Sequence, residues 1–155
     1  MSPEDRLTSL NVELPSPPPP GGIYTPIVYQ GSLIYVSGHG PNLPDGSQIC
    51  GKVGSDLTME EGYEAARQVG LTMLSTLQAQ LGNLNRIKRA IKVLGMVNAT
   101  PEFGQHPQVV NGFSQLLLDV FGEENGRAAR SAVGMGSLPG NIAVEVEAIF
   151  ELHES

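Results

Sequence analysis

The sequence predicts a single α+β domain in which two helices pack on one face of a mixed, five- to six-stranded sheet. Its length of 155 residues fits one domain. Two long stretches have helical periodicity and end in glycine, whereas the remaining apolar segments are short and bracketed by turn residues. The predicted order is β-β-(β)-α-β-α-β-β without an internal repeat. Residues 1–22 form an N-terminal helix and proline-rich arm in this prediction, and residues 23–152 form the core.

The N-terminal segment combines a short amphipathic stretch with a run of prolines. Residues 3–14 predict a short helix with Leu7, Leu10 and Val12 as its apolar content. The run Pro17-Pro18-Pro19-Pro20 cannot continue a helix and favours an extended polyproline conformation. The run is either a docking motif for a proline-binding module or a stiff arm across the surface. We favour the arm, because the run leads directly into core-like sequence.

The front half of the core reads as a hairpin, a loop and a helix. From Tyr24 the pattern is strand, turn, strand, and the second strand contains residues 33–37. Residues 41–54 are rich in Gly, Pro and Asn and predict a loop with room for a short edge strand. The next helix starts at a capping box between Thr58 and Glu61, and Gly82 occupies its C-cap.

The back half alternates strand, helix and two strands. Residues 87–97 alternate apolar and polar side chains and predict a half-buried strand. The second helix has Pro107 near its first turn, ends at Gly122, and has an apolar stripe formed by Val109, Val110, Phe113, Leu116, Leu117, Val120 and Phe121. Residues 131–135 and 142–152 predict the last two strands.

One face of the predicted sheet lacks a cover. On the last strand Val144, Val146, Ala148 and Phe150 lie on one side, and Glu145, Glu147, Ile149 and Glu151 lie on the other. Charged residues make up only 16% of the chain, against roughly 25% in an ordinary domain. We therefore expect self-association over the second side, with clefts between subunits.

Composition argues against several classes of function. With 9 basic and 16 acidic residues, the chain is poorly equipped to bind nucleic acid non-specifically, although Arg86, Lys88, Arg89 and Lys92 form a local basic cluster. The apolar runs are shorter than the roughly 20 residues of a bilayer span, and the acidic N-terminus is unlike a signal peptide. The single Cys50 fits a reducing compartment, so we expect a cytoplasmic protein.

Common catalytic motifs are missing from the sequence. We find no phosphate-binding loop, no dinucleotide fingerprint and no serine nucleophile elbow. His39, His106 and His153 are too far apart in sequence for a local metal site. His39 could act as a base after its strand, but a lone histidine is more often solvated or hydrogen-bonded.

Several separated segments share the order and spacing of one family's signature. They are Tyr35-Val36-Ser37-Gly38, Val110-Asn111-Gly112-Phe113, Ala129-Arg130-Ser131-Ala132-Val133, Leu138-Pro139 and Val144-Glu145-Val146-Glu147-Ala148. Together they resemble the Rid (YjgF-type) superfamily over about residues 22–152. Residues 51–58 and 126–134 resemble its long-form branch, which carries the label endoribonuclease, chorismate-mutase-like.

The resemblance implies a chorismate-mutase-like fold and a homotrimer with clefts at subunit boundaries. It also implies a cofactor-free enzyme that hydrolyses small 2-imino acids, the tautomers of enamines, to 2-keto acids and ammonia. Matched by position, Arg130 is the carboxylate-binding arginine and Glu145 is the acid that places the water. Tyr24, Ser37 and Asn111 match the family's substrate-binding positions.

These assignments agree with the chemistry of the residues, and each has an alternative. A guanidinium fork orients a carboxylate through two parallel hydrogen bonds, and a cleft glutamate can deprotonate water. Arg130 could instead pair with Glu123 or Glu124, and Glu145 could be a solvated strand residue or a trimer-interface acid. The chain departs from some family deaminases at Ala132, where they carry cysteine. The long arm and the loop from Gly95 to Gln105 also set it apart.

Two other functions compete with deamination. The first is a non-catalytic sensor that binds a small carboxylate metabolite in the same cleft through Arg130. The second is the endoribonuclease activity in the branch's label, which the acidic charge balance makes the weakest candidate.

Overall fold

Five strands form one mixed sheet in the computed structural model, which describes residues 1–154. The strands are β1 (Ile27–Gln30), β2 (Leu33–His39), β3 (Ile87–Asn98), β4 (Ala129–Met135) and β5 (Val144–Leu152). Their order is β1-β2-β5-β3-β4, and only the pair β3–β4 is parallel. The predicted α+β fold with a mixed sheet is confirmed. The optional sixth strand is not formed, because the 41–54 region makes only isolated β-bridges.

Helices cover one face of this sheet. They are α1 (Pro3–Ser9), α2 (Met59–Leu81), α3 (His106–Phe121) and the single turn α4 (Glu123–Gly126), with short 3-10 turns at 84–86 and 139–141. The caps predicted for α2 are present: the Thr58 hydroxyl accepts from the Glu61 amide, and Gly82 is left-handed with φ 82°. The α4 turn was not predicted. Within residues 1–154 no helix combines the length and apolarity required for a membrane span.

The strand β3 departs from the predicted alternation. Ile87, Ala90 and Val93 are its buried residues near the N-terminal end, whereas Ile91 is half-buried. The register against β5 shifts twice in this stretch, so each bulge moves the following side chains to the other face. The strand also continues to Asn98, and the loop that was predicted from Gly95 therefore begins only at residue 99.

The N-terminal arm is attached to the outside of the core. The helix α1 ends at Ser9 and not at residue 14, because Asn11 takes a left-handed conformation with φ 52°. The Glu4 carboxylate accepts from the Gln78 side chain at 2.9 Å. The Pro15 carbonyl accepts from the Ser75 hydroxyl at 2.6 Å. These contacts agree with the interpretation of this segment as an arm across the surface.

The backbones of α2 and α3 meet at Gly112. A Cβ atom there would overlap the Tyr63 carbonyl oxygen, so only glycine permits this approach. We predict that Gly112→Ala lowers the free energy of unfolding by about 2–3 kcal/mol, because the helices must separate. Urea denaturation measures this effect. Gly104→Ala, where a Cβ has open space, should stay within about 0.5 kcal/mol; equal midpoints for both variants would show that the helices adjust freely.

Candidate functional site

Arg130 extends from the edge strand β4 to the helix α3. Its Nη1 donates to the Asn111 side-chain oxygen at 2.8 Å and to the Ser114 hydroxyl at 3.1 Å. Its Nη2 donates to the Pro107 carbonyl at 3.4 Å. All of these acceptors are neutral, so they orient the guanidinium group without neutralising its charge. The structure thus brings Arg130 and Asn111 together.

The remaining donors of Arg130 have the geometry of a carboxylate fork. Within residues 1–154 its Nε–H makes no hydrogen bond, and Nη2 makes one, to the Pro107 carbonyl. A guanidinium group presents Nε–H and one Nη–H along the same edge, and such a fork matches the two oxygens of a carboxylate. The alternative pairing with Glu123 or Glu124 is not formed, because Glu123 pairs with Arg127. In the described chain Arg130 has no carboxylate partner, and burial lowers the pKa of its guanidinium.

A cavity of about 480 Å3 lies beside Arg130. Asn111 and Ser114 line it together with Tyr63 and the exposed Arg127. We call Arg130, Asn111 and Ser114 the arginine half-site. Ser114 was missed in the sequence analysis, although its position three residues after Asn111 places both on one helix face.

Glu145 projects from the opposite face of the sheet. Its neighbours Val144 and Val146 are buried under the helices, so Glu145 points away from them. Burial, and secondly the negative charge of Glu147, raise the pKa of the Glu145 carboxyl. The carboxylate lies against Gly38, where a Cβ atom would overlap it. A side chain at residue 38 is therefore incompatible with this position of Glu145.

Tyr24 and Ser37 lie beside Glu145 in a cavity of about 440 Å3. The Ser37 hydroxyl donates to the Thr25 carbonyl at 2.7 Å, and the Tyr24 hydroxyl accepts from the Gly21 amide at 3.0 Å. We call Tyr24, Ser37 and Glu145 the glutamate half-site. Tyr24 precedes the first strand, which begins only at Ile27, so the predicted strand start at Tyr24 is wrong.

The predicted site residues thus fall into two groups within one chain. The Arg130 side chain donates to Asn111 of α3 on the helix-covered side of the sheet, whereas Glu145 lies on the open side. The two half-sites line different cavities. One copy of the chain therefore does not bring Arg130 and Glu145 to the same ligand.

The family described as "YjgF/chorismate mutase-like, putative endoribonuclease" matches residues 4–152. The chain belongs to this YjgF/Rid family. Protein TCP17 of Trypanosoma cruzi is 44% identical over 148 residues, which are 96% of this chain and 92% of that protein.

Solved structures of the YjgF/Rid family share the fold. Protein Atu1372 from Agrobacterium tumefaciens is 40% identical with a TM-score of 0.87, and the match covers 97% of this chain and 94% of that one. A "putative endoribonuclease" from Shewanella oneidensis is 35% identical with a TM-score of 0.93, covering 98% of this chain and all of the other. The chorismate-mutase-like fold predicted from the sequence is therefore confirmed.

In this YjgF/Rid chain His39 is a buried, hydrogen-bonded residue at the end of β2. Its side chain is 6% exposed. Nδ1 lies 2.6 Å from the Ser37 carbonyl, and Nε2 lies 2.8 Å from the Thr76 hydroxyl. A carbonyl only accepts, so Nδ1 carries the proton and Nε2 accepts from Thr76. This arrangement suits a neutral imidazole that fixes the backbone beside Ser37. The sequence contained no specific signal for this structural role of His39.

The burial of His39 predicts a pH-dependent stability. Burial lowers the pKa of the imidazole below its unfolded value of about 6.5. Below that pH the unfolded state binds a proton that the folded state resists, so we expect stability to fall as the pH drops from about 6.5 towards the lowered pKa. Urea unfolding of wild type and His39→Gln between pH 5 and 8 measures this. If the unfolding free energies of the two proteins differ by the same amount at every pH in that range, the lowered pKa of His39 is contradicted.

Within residues 1–154 no group of at least three His, Cys, Asp or Glu side chains is arranged to hold a metal ion.

Proposed function

We propose that this protein is a cofactor-independent hydrolytic deaminase of small 2-imino acids and their enamine tautomers. The observation that carries the proposal is the Arg130 fork, which is held by neutral groups and lacks a carboxylate partner in the described chain. A partly buried cation of this kind favours an anionic ligand. A 2-imino acid has a carboxylate directly next to its electrophilic carbon, so holding the carboxylate also places the reacting atom.

The reaction consumes one water and releases ammonia. Arg130 would bind the carboxylate in two parallel hydrogen bonds, and Asn111 would keep the guanidinium in place. Glu145, whose raised pKa makes it a stronger base, would take a proton from water as the water oxygen bonds to C2. Glu145 returns this proton to the nitrogen, which gives the carbinolamine. The carbinolamine hydroxyl then passes its own proton to the nitrogen as the C–O bond becomes a carbonyl and the C–N bond breaks, so ammonia leaves and a 2-keto acid remains. Tyr24 and Ser37 would line the substrate's other side.

This mechanism requires the two half-sites to meet between copies of the chain. We propose a homotrimer whose clefts combine the arginine half-site of one subunit with the glutamate half-site of its neighbour. The open face of the sheet supports self-association, because Val28, Tyr35 and Val133 expose 52%, 45% and 38% of their surface there.

We predict a particle of about three times the 16.4 kDa chain mass in light scattering at micromolar concentration. Val133→Lys should lower this mass, because it places a charge in the open apolar face. Gln80→Lys, which adds the same charge at an exposed position of α2 outside the sheet, serves as the comparison. A monomeric wild type would contradict the proposed assembly.

The activity is tested with 2-iminopropionate that a dehydratase generates from serine in the cuvette. We expect trimeric wild type to accelerate the release of pyruvate and ammonia above the uncatalysed rate. No acceleration by a correctly assembled trimer would contradict the proposal and favour the binding alternative below.

The second candidate is a non-catalytic protein that binds a small carboxylate metabolite. The Arg130 fork alone would serve this function. Escherichia coli TdcF, which shares the fold with a TM-score of 0.60 and 19% identity, was crystallised with bound serine. A rise in melting temperature with 2-ketobutyrate, without turnover of any imine, would favour this candidate. The net charge of −7 argues against binding of nucleic acid and against the endoribonuclease label.

A further inference from the structure

The cavity of the glutamate half-site continues towards the N-terminal proline arm. A second cavity of about 310 Å3 adjoins the first, and the two share Tyr24, Ser37, Gly38, His39 and Gly40 as lining residues. The two cavities therefore form one groove with Glu145 at one end. We call the part lined by Pro18–Pro20, Asn42 and Gln48, which do not line the first cavity, the arm subsite.

The arm subsite is lined by uncharged residues. Its wall is Pro18–Pro20, and Asn42 and Gln48 line it next to Gly40. The Gln48 amide donates to the Asn42 side-chain oxygen at 2.7 Å. None of its lining residues is Lys, Arg, Asp or Glu. His39 is buried, which favours its neutral form, so the subsite offers no partner for a charged group.

The wall of the arm subsite is held at both ends before any ligand arrives. Pro15 is tied to Ser75 in α2, and Gly21 donates to the Tyr24 hydroxyl. The prolines between these two points have fixed φ angles. A wall of this kind loses little conformational entropy when a ligand packs against it, so it favours affinity.

We infer that the arm subsite receives the substrate's side chain, and that it selects 2-imino acids with an extended, uncharged side chain. The inference rests on the proposed deaminase function. The reacting carbon lies near Glu145 in that mechanism, and the groove leads from there to the arm. A methyl group, comparable to one water of roughly 30 Å3, would leave most of the subsite empty. An anionic side chain would meet no cation and would lie near Glu145 and Glu147.

Three imines of known side chain separate this inference from the proposed function. Amino acid oxidase with catalase generates them in the assay from alanine, methionine and glutamate. The last two have side chains of similar length but different charge. We expect kcat/KM for the methionine imine to exceed that for the alanine imine by at least about tenfold, corresponding to 1.4 kcal/mol. The glutamate imine should be the poorest substrate.

The outcomes distinguish the two proposals. Acceleration of none of the three imines would overturn the proposed function. Acceleration of all three with equal kcat/KM, or a preference for alanine, would overturn the arm subsite and leave the deaminase function in place.

Gly40→Ala fills the entrance of the arm subsite. A Cβ at residue 40 would lie 3.1 Å from both the Gln48 amide nitrogen and the Ile142 side chain. These are the ends of flexible side chains, so the fold can accommodate the methyl group at the expense of the subsite. We expect the loss of kcat/KM to be about tenfold larger for the methionine imine than for the alanine imine. Equal losses for both imines would contradict the inference.

Gln48→Lys supplies the cation that the subsite lacks. Residue 48 is exposed, so the variant should fold normally. We expect kcat/KM for the glutamate imine to rise about tenfold and that for the methionine imine to fall. Gln80→Lys makes the same charge change at an exposed position at the end of α2 and should leave both values unchanged. An identical effect of both lysines would indicate a general charge effect and overturn the arm subsite.

Discussion

Replacing Arg130 by alanine is expected to lower kcat/KM for 2-iminopropionate by about 100- to 1,000-fold. The variant removes the guanidinium fork that would hold the carboxylate, and hydrogen bonds to charged groups contribute about 1.5–3 kcal/mol each. It also removes the orientation that places the electrophilic carbon for attack. The measurement is the initial rate of pyruvate release under subsaturating imine.

Arg130→Lys separates the charge from the shape of the fork. Lysine keeps a positive charge but cannot donate two parallel hydrogen bonds, so we expect a loss of roughly tenfold or more. Arg86→Ala is the control, because Arg86 is exposed and lines neither of the two cavities; it should retain activity within about twofold. Wild-type activity in Arg130→Ala would exclude the carboxylate fork as the basis of the reaction.

Much of the fold could be predicted because its signals are local. Both ends of α2 depend on hydrogen bonds within four residues, and Thr58, Glu61 and Gly82 were sufficient to place them. The two bulges in β3 could not be predicted, because they arise from its pairing with β5 about 60 residues later. The predicted alternation therefore fails between Ile87 and Val93.

The positions of the two half-sites in the fold were predictable from the sequence to different degrees. The alternation along β5 placed Glu145 on the face opposite Val144 and Val146, and the structure agrees. The face of Arg130 could not be predicted, because apolar and polar residues do not alternate along the sequence of β4, Ala-Arg-Ser-Ala-Val-Gly-Met. The arm subsite was also missed, since it joins residues 18–21 to residues 42–48 and 139–142, which are distant in sequence.

Replacing Glu145 by glutamine is expected to lower kcat by about 100- to 10,000-fold, the usual contribution of general acid–base catalysis. Binding of 2-ketobutyrate, measured by calorimetry, should change only a few-fold, because Arg130 is intact. In wild type the rate should fall as the pH drops through the raised pKa of Glu145, since the base must be deprotonated. Turnover by Glu145→Gln at the wild-type rate would remove Glu145 from the mechanism.

Mixed trimers test whether the half-sites come from different chains. Arg130→Ala and Glu145→Gln subunits, each inactive alone, are unfolded together in equal amounts and refolded. A cleft between two chains is intact when a Glu145→Gln subunit supplies its arginine and an Arg130→Ala subunit supplies its glutamate. Each of these conditions holds for half of the subunits, so about one quarter of the clefts should regain activity. The same variants mixed without unfolding are the control. A refolded mixture as inactive as the separate variants would show that Arg130 and Glu145 do not act across a subunit boundary.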